Sequence, residues 1–352
     1  MHQPLHVQLF AEPFFAREAN GIHTALLQLR HRLPGRDNIH LVAPADATRP
    51  DVIHAHTVGP RYLLLSLQHR RRLVVTAHVL PDTCLGGVVF ARLCQRLTTT
   101  YLRLAYNRAR LVVAVSPPVQ QALYQMGITS EVTLLCNGVD TVQFKPNPAL
   151  RAAGRQQLKL PDDAFVVLSV GQIQPRKGVE TMLAVAHQLP HFQFVWVGGR
   201  PFGRLTADYQ ALTQAIGNAP PNVTFVGAVP HEEMPAYYAL ADTLLFPSRQ
   251  ECFGYAVVEA AATGLPLLLH NIPAYRDYFY DHYLCAHDPA GYAIWLQRLH
   301  TDPAFYAQWQ AQATTLAAQY DLDAFLNRLV TSYHQVAATA RSEMVTTPAG
   351  AQ

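Results

Sequence analysis

Short apolar runs recur along the whole chain, and most are followed by a segment whose apolar positions repeat with helical spacing. In the first half the runs His6 to Phe10, Ile39 to Ala43, Val52 to Ala55, Leu73 to Ala77, Leu111 to Val115 and Val132 to Cys136 predict six strands. In the second half Phe165 to Val170, Phe192 to Val197, Val223 to Val226, Thr243 to Phe246, Leu267 to His270 and Tyr283 to Ala286 predict six more. Helices are predicted at Gly21 to Leu33, Phe90 to Arg110, from Ser116-Pro117 onward, Val179 to Gln188, around Tyr237 and Leu240, and from Gly254 to near Gly264. Asp302 to Tyr320 and Leu322 to Thr339 read as closing helices. This alternation predicts an α/β protein of two doubly wound domains. The Pro- and Asn-rich stretch PNPALRAAG marks a linker at 146–160 between domains at 1–145 and 161–335, with a polar tail at 336–352.

The 352 residues suit two cores, and with 50% hydrophobic and 14% charged residues extensive disorder is excluded. No apolar run is long enough to span a bilayer, so a cytoplasmic protein is expected. The five cysteines are scattered and never spaced C-x-x-C, which argues against a disulfide framework or a zinc site. The charge of +3 is unevenly shared: residues 1–150 hold 15 basic and 8 acidic side chains, residues 151–352 hold 12 and 16. The first half is therefore the one suited to an anionic surface. Within it, Arg92, Arg96, Arg103 and Arg110 fall within about 40° of one another on a helix over 90–110, opposite Phe90, Leu93, Leu97, Tyr101, Leu104 and Ala105. Such a stripe suits anionic lipid headgroups, and equally a solvated helix face. No nucleic-acid module accompanies the charge.

The densest candidate chemistry lies in FPSRQECFGYAVVEAAATGLP, residues 246–266, a strand, a polar turn and a helix start. Such a unit aims backbone N–H groups and the positive helix end at an anionic group such as a diphosphate. Glu251 falls in the turn and Glu259 on the helix, so both can flank one ligand. Ahead of it, Gly171 ends a strand and Arg176, Lys177 and Gly178 stand at a helix start, where two cations suit a diphosphate. His78 follows a strand, where open parallel sheets bind ligands. His54 and His56 read as structural histidines for want of a third ligand, and Asp321 and Asp323 as helix caps, so no metal site is assigned.

The pattern E-x7-E preceded by Pro-Ser, with Phe253-Gly254 inside it and E-A-x-A-x-G-x-P at its end, resembles the donor-site signature of the family 4 retaining glycosyltransferases. The resemblance extends over residues 5–330, with Asn137-Gly138-Val139-Asp140 similar to the family's exit from its first domain. It implies the GT-B fold, two Rossmann-like domains facing across a cleft, and a nucleotide-sugar donor with no cofactor and no required metal. It further implies that Glu259 takes the ribose hydroxyls, Arg176 and Lys177 the diphosphate, and Glu251 with Phe253, Gly254 and Tyr255 the sugar. Gly227 lies near the base, Gly21 near the phosphates, and His78 at the transferred sugar. Gln172 departs from the family's usual arginine, and Arg176 stands close enough in sequence to replace it. The segments VIHAHTVGPRYLL and TAHVLPD look like bacterial enzymes that glycosylate diacylglycerol or glycosyl-diacylglycerol from UDP-glucose or UDP-galactose, which implies a peripheral place on a membrane. Polysaccharide assembly, a nucleotide-sugar epimerase and a non-catalytic sensor remain open on the same scaffold.

Overall fold

The computed structural model describes residues 4–13, 21–81, 95–200, 203 and 206–346. They form two compact units, one drawn from residues within 1–81, 95–137 and 323–346 and the other from 138–322.

In the first unit β1 (Leu5–Phe10), β2 (Ile39–Leu41), β3 (Val52–Ala55), β4 (Leu73–Ala77), β5 (Leu111–Ala114) and β6 (Glu131–Leu134) form one sheet of order β2-β1-β3-β4-β5-β6. Every pairing is parallel. The inner strands β3, β4 and β5 are buried throughout, as continuous apolar runs in a sheet covered on both faces must be. The connections carry α1 (Gly21–Arg32), α2 (Pro60–His69), α3 (Gln95–Tyr106) and α4 (Pro117–Gln125). The hydroxyl of Ser116 caps α4 by accepting from Val119 N at 3.4 Å, with Pro117 in the first turn. The chain reverses direction across the sheet between β1 and β3.

The second unit is also a doubly wound parallel sheet, in a different strand order. Strands β7 (Val166–Val170), β8 (Gln193–Val197), β9 (Val223–Gly227), β10 (Thr243–Phe246), β11 (Leu267–His270) and β12 (Leu284–Ala286) form a parallel sheet of order β12-β11-β10-β7-β8-β9. Its reversal lies between β7 and β10. Helices α5 (Pro148–Gln157), α6 (Val179–Gln188), α7 (Tyr209–Gly217), α8 (Met234–Leu240), α9 (Tyr255–Ala262), α10 (Arg276–Phe279), α11 (Pro289–Thr301) and α12 (Pro303–Ala318) accompany it, and α13 (Leu322–Thr346) follows. Phe192, Phe194, Trp196 and Tyr292 lie in one continuous core with residues of α6 and α11.

Two expectations are corrected. The stretch expected to be a linker at 146–160 is largely the helix α5. Asn147 accepts from Ala149 N and Leu150 N at 3.1 Å and Pro148 fills the first turn, so the residues that suggested a linker are a helix start. The helix is anchored by Arg155, only 4% exposed, which donates to the carbonyls of Leu240, Asp162 and Ala164. Asp242 accepts from both Arg151 at 2.6 Å and Arg155 at 2.8 Å.

The closing helix also differs. α13 continues to Thr346, well past the expected start of a tail at 336, and from Asp323 onward it belongs to the first unit. Asp323 pairs with Arg32 at 3.1 Å and Arg36 at 2.5 Å, Arg341 with Asp51 at 3.0 Å, and the buried Tyr333 hydroxyl meets His54 Nδ1 at 2.6 Å. Local hydropathy marks the helix; these partners, hundreds of residues away, decide where it packs.

Candidate active site

In a doubly wound sheet the loops leaving the two strands at the reversal diverge and open a crevice at their carboxyl ends. In the second unit these are the loops after β7 and β10, and they carry Gly171 to Gly178 and Pro247 to Gly254. The loops touch where Gly178, at φ +76°, passes Pro247: a Cβ there would lie 2.4 Å from the Pro247 carbonyl oxygen. Only glycine combines that backbone conformation with that approach. Gly254, at φ +88°, likewise turns the second loop into α9.

This contact brings the two halves of the predicted motif together. The Lys177 ammonium forms an ion pair with Glu251 Oε1, which also accepts from Ser248 Oγ at 2.7 Å. Arg176 Nη1 stands 4.0 Å from Glu251 Oε2 and donates to the Gln250 carbonyl at 2.9 Å. Burial alone pushes the Glu251 carboxyl up, but Lys177 and Arg176 outweigh it and hold Glu251 below its usual range. Burial pulls the Lys177 ammonium down against the opposing charge of Glu251. Two groups to which the sequence assigns separate duties are thus each other's main partner.

Gln172 takes part in the same loop. Its side-chain oxygen accepts from Gln174 Nε2 at 3.0 Å, and Gln174 Oε1 accepts from Arg176 Nε at 2.9 Å. The chain Gln172, Gln174, Arg176 therefore orients the guanidinium that the sequence suggests as a replacement. Gly171 is fixed to the next strand by its N–H on Val197 O at 2.9 Å.

Glu259 lies on α9 and is 4% exposed. Its Oε2 accepts from the Tyr238 hydroxyl at 2.7 Å, and its Oε1 meets His231 Nε2 at 3.0 Å. Neither partner was anticipated. The Phe253 side chain is packed among Tyr278, Phe279 and Tyr320. Burial holds the Tyr255 phenol well above its ordinary value, so it stays protonated. Gly227 ends β9 at φ +90°, its carbonyl accepting from Gly198 N at 2.8 Å.

The first unit contributes a cluster of a different kind. His78, half-buried after β4, has Nε2 3.0 Å from His56 Nδ1. His54, fully buried, lies between the Tyr333 hydroxyl and Thr76 Oγ1 at 2.6 and 2.7 Å, with its ring 4.3 Å from that of His56. Burial keeps all three neutral, pulling His54 down to about 3, His78 to about 4, and His56 well below its usual value. Among the described residues no group of three or more metal-ligating side chains forms a cation site. Gly21 opens α1, and the loop before it lies outside the described residues.

The expected four-arginine stripe is described only in part, and Arg110 does not belong to its helix. Arg92 lies outside the described residues; Arg96 and Arg103 are exposed on α3; Arg110 stands beyond the helix end, its N–H on Leu73 O at 2.8 Å. The inward face is Leu102, Ala105 and Tyr106, fixed by Tyr62 donating to Ala105 O at 2.9 Å and Tyr106 to Val79 O at 2.7 Å. Leu97 and Leu104, on the side opposite the arginines by periodicity, are 72% and 53% exposed.

The two parallel sheets, each with its helices, define the GT-B class of glycosyltransferases. Residues 10–143 match the Glycosyltransferase Family 4 domain and residues 151–315 the Glycosyl transferases group 1 domain. The chain belongs to the family 4 glycosyltransferases. It is 29% identical over 335 residues to the alpha-galactosylglucosyldiacylglycerol synthase of Streptococcus pneumoniae, covering 94% of this chain and 89% of that one. It is 24% identical to the processive diacylglycerol alpha-glucosyltransferase of Acholeplasma laidlawii, covering 85% and 89%. Among solved structures, Anabaena HepE in complex with UDP-glucose superposes with a TM-score of 0.77 at 21% identity, covering 95% of this chain and 100% of that one.

Proposed function

We propose that this glycosyltransferase moves glucose or galactose from a UDP-sugar, with retention, to a hydroxyl of diacylglycerol or a glycosyl-diacylglycerol at an anionic membrane surface. The observation that carries the donor half is the Lys177, Arg176 and Glu251 cluster at the reversal of the second sheet. It puts two cations just ahead of α6 against a carboxylate just ahead of α9, the helix that carries Glu259. Lys177 has three N–H donors, so it can hold Glu251 and a phosphate oxygen together. In the reaction the acceptor oxygen bonds to the anomeric carbon as the bond from that carbon to the diphosphate oxygen breaks. The acceptor proton passes to the departing phosphate, and Lys177 and Arg176 stabilise the charge that grows there. Glu251 and the backbone at Phe253 and Gly254 hold the sugar hydroxyls, Glu259 the ribose, and the neutral His78 imidazole serves as a hydrogen-bonding group toward the sugar.

The lipid acceptor draws on the relatives and on the outer face of the first unit. Between Asp51 and Glu131 the sequence has one acidic residue, Asp82, against nine arginines. Helices α2 and α3, joined through Tyr62 and Tyr101, expose Leu64 at 67% and Leu67 at 62% as well as Leu97 and Leu104. Apolar side chains rimmed by arginines suit a bilayer interface with anionic headgroups. No described helix is long and apolar enough to cross a membrane.

The test is nucleotide release from UDP-glucose, UDP-galactose and GDP-mannose, with anionic vesicles containing or lacking diacylglycerol or monoglycosyl-diacylglycerol. Release from a UDP-hexose that requires the lipid, with an α-linked product by NMR, is the expected result. Release that ignores lipid overturns the acceptor, and turnover of GDP-mannose alone overturns the donor.

A further inference from the structure

Glu259 is almost wholly covered, and each of its oxygens already has one partner, His231 Nε2 at 3.0 Å and the Tyr238 hydroxyl at 2.7 Å. An ionised carboxylate oxygen has two acceptor directions. One therefore remains on each oxygen, side by side, an arrangement that matches two hydroxyls on adjacent carbons.

What keeps those directions aligned is the packing behind them. The buried Phe144 ring meets His231 and Tyr238 edge-on, at 5.4 and 5.7 Å between centroids. Tyr238 lies on α8, and His231 in the turn His231–Glu233 that opens α8, a few residues beyond Gly227. The His231 side chain is 11% exposed against 5% for Glu259, so the imidazole is the more accessible member of the pair.

We propose that His231 is a positioning residue that fixes Glu259 for the 2′- and 3′-hydroxyls of the donor nucleotide and makes that grip sensitive to its own protonation. This rests on reading the second unit as the donor domain. The groups around His231 are Glu259 from α9, the adjacent Glu232 and the edge of the Phe144 ring, with Tyr238 of α8 on the other oxygen of Glu259. Burial favours the neutral imidazole, yet the bond to Glu259 and the charges of Glu259 and Glu232 prevail and raise His231 above its usual value. Tyr238, held far above its ordinary value by burial and Glu259, does not titrate in the same range. Neutral His231 leaves the full carboxylate charge for the hydroxyls. The imidazolium draws that charge into a stronger bond with itself and weakens the diol contact.

The test is calorimetric binding of UDP and of 2′,3′-dideoxy-UDP to the whole protein between pH 6 and 8.5. Hydrogen bonds to a charged group are worth about 1.5–3 kcal/mol each, so the wild type should prefer UDP by at least about tenfold at pH 8. That preference should shrink as the pH falls. His231→Phe should lose most of it and its pH dependence while binding the dideoxy compound as before. His231→Gln, which keeps an N–H donor that does not titrate, should retain the preference at every pH. The proposal is overturned if His231→Phe keeps the wild-type preference, or if both compounds weaken equally, the mark of a merely structural residue. A wild type that binds UDP without discriminating against the dideoxy form overturns the inference alone. A wild type that binds no UDP overturns the donor reading beneath it.

Discussion

Both sheets are six parallel strands with one reversal, though in different strand order, and the residues at their strand ends are opposite in character. After β7 and β10 the second unit buries full charges, with Lys177 on Glu251 and Arg176 beside them. At the carboxyl ends of β3 and β4 the first unit holds His54, His56 and His78, all kept uncharged by loss of solvent. Burial costs an ion far more than a neutral imidazole, so charge persists only where an opposite charge sits beside it. A site that is to accept a dianionic diphosphate needs cations kept charged in a dry place. A site that only touches hydroxyls works with neutral donors and acceptors.

The sharpest way to break this comparison is to remove the cation. Lys177→Met leaves Glu251 buried without its main partner, and breaking such a pair costs about 3–5 kcal/mol. Turnover should fall by about 10²–10³ through the lost stabilisation of the leaving group. Adding Glu251→Gln to that variant should restore the melting temperature and leave turnover low. Recovery of turnover in the double variant would show that the pair serves folding alone.

Acid separates the two units more gently. His54 at about 3 and His78 at about 4 stand below the usual 6.5, so as the pH falls through 6.5 the unfolded chain takes up protons that the folded one refuses. Their contribution to stability is intact above pH 6.5 and declines toward pH 4, by up to about 1.4 kcal/mol per pH unit for each histidine. Glu251 is a depressed carboxylate, so its contribution is present above 4.5 and fades only as the pH falls further. His231, raised above 6.5, contributes below that value and loses its contribution as the pH rises through its own folded titration. Hydrogen exchange at pH 5 should therefore show β3 and β4 opening before β7 and β10. Simultaneous loss of protection in both sheets would contradict the contrast.

How much of this was legible in the sequence follows the same physics. Every described strand is anticipated within a residue or two; the inner ones stand out because a strand buried on both faces must be apolar throughout. Helix α2 escapes notice because it buries Tyr62 and Ser66 while Leu64 and Leu67 face out, against the order hydropathy would choose. Helices α7 and α11 also pass unmarked. Lys177, Arg176, Glu251 and Glu259 are visible as a spaced motif. His231 and Tyr238 are not, since they meet Glu259 across 28 and 21 residues, a pairing with no local period. The one available cue was a histidine in the turn after β9, directly ahead of α8.

The smallest expected effect concerns the outer face of the first unit, where that reversed burial leaves leucines beside arginines. Arg103→Gln removes one cation, worth about 1 kcal/mol at an anionic surface, or about fivefold in partition to phosphatidylglycerol vesicles. Leu67→Ser should cost a similar factor, because a side chain only partly inserted gives a fraction of the 1.5–3 kcal/mol of full burial. Both side chains are exposed, so melting temperature and UDP affinity should stay as in the wild type. The two losses differ in their response to salt: raising it should abolish the effect of Arg103→Gln and preserve that of Leu67→Ser. If both variants partition as the wild type does at low salt, the exposed leucines and arginines are a solvated face, and the proposed lipid acceptor would have to reach the enzyme by another surface.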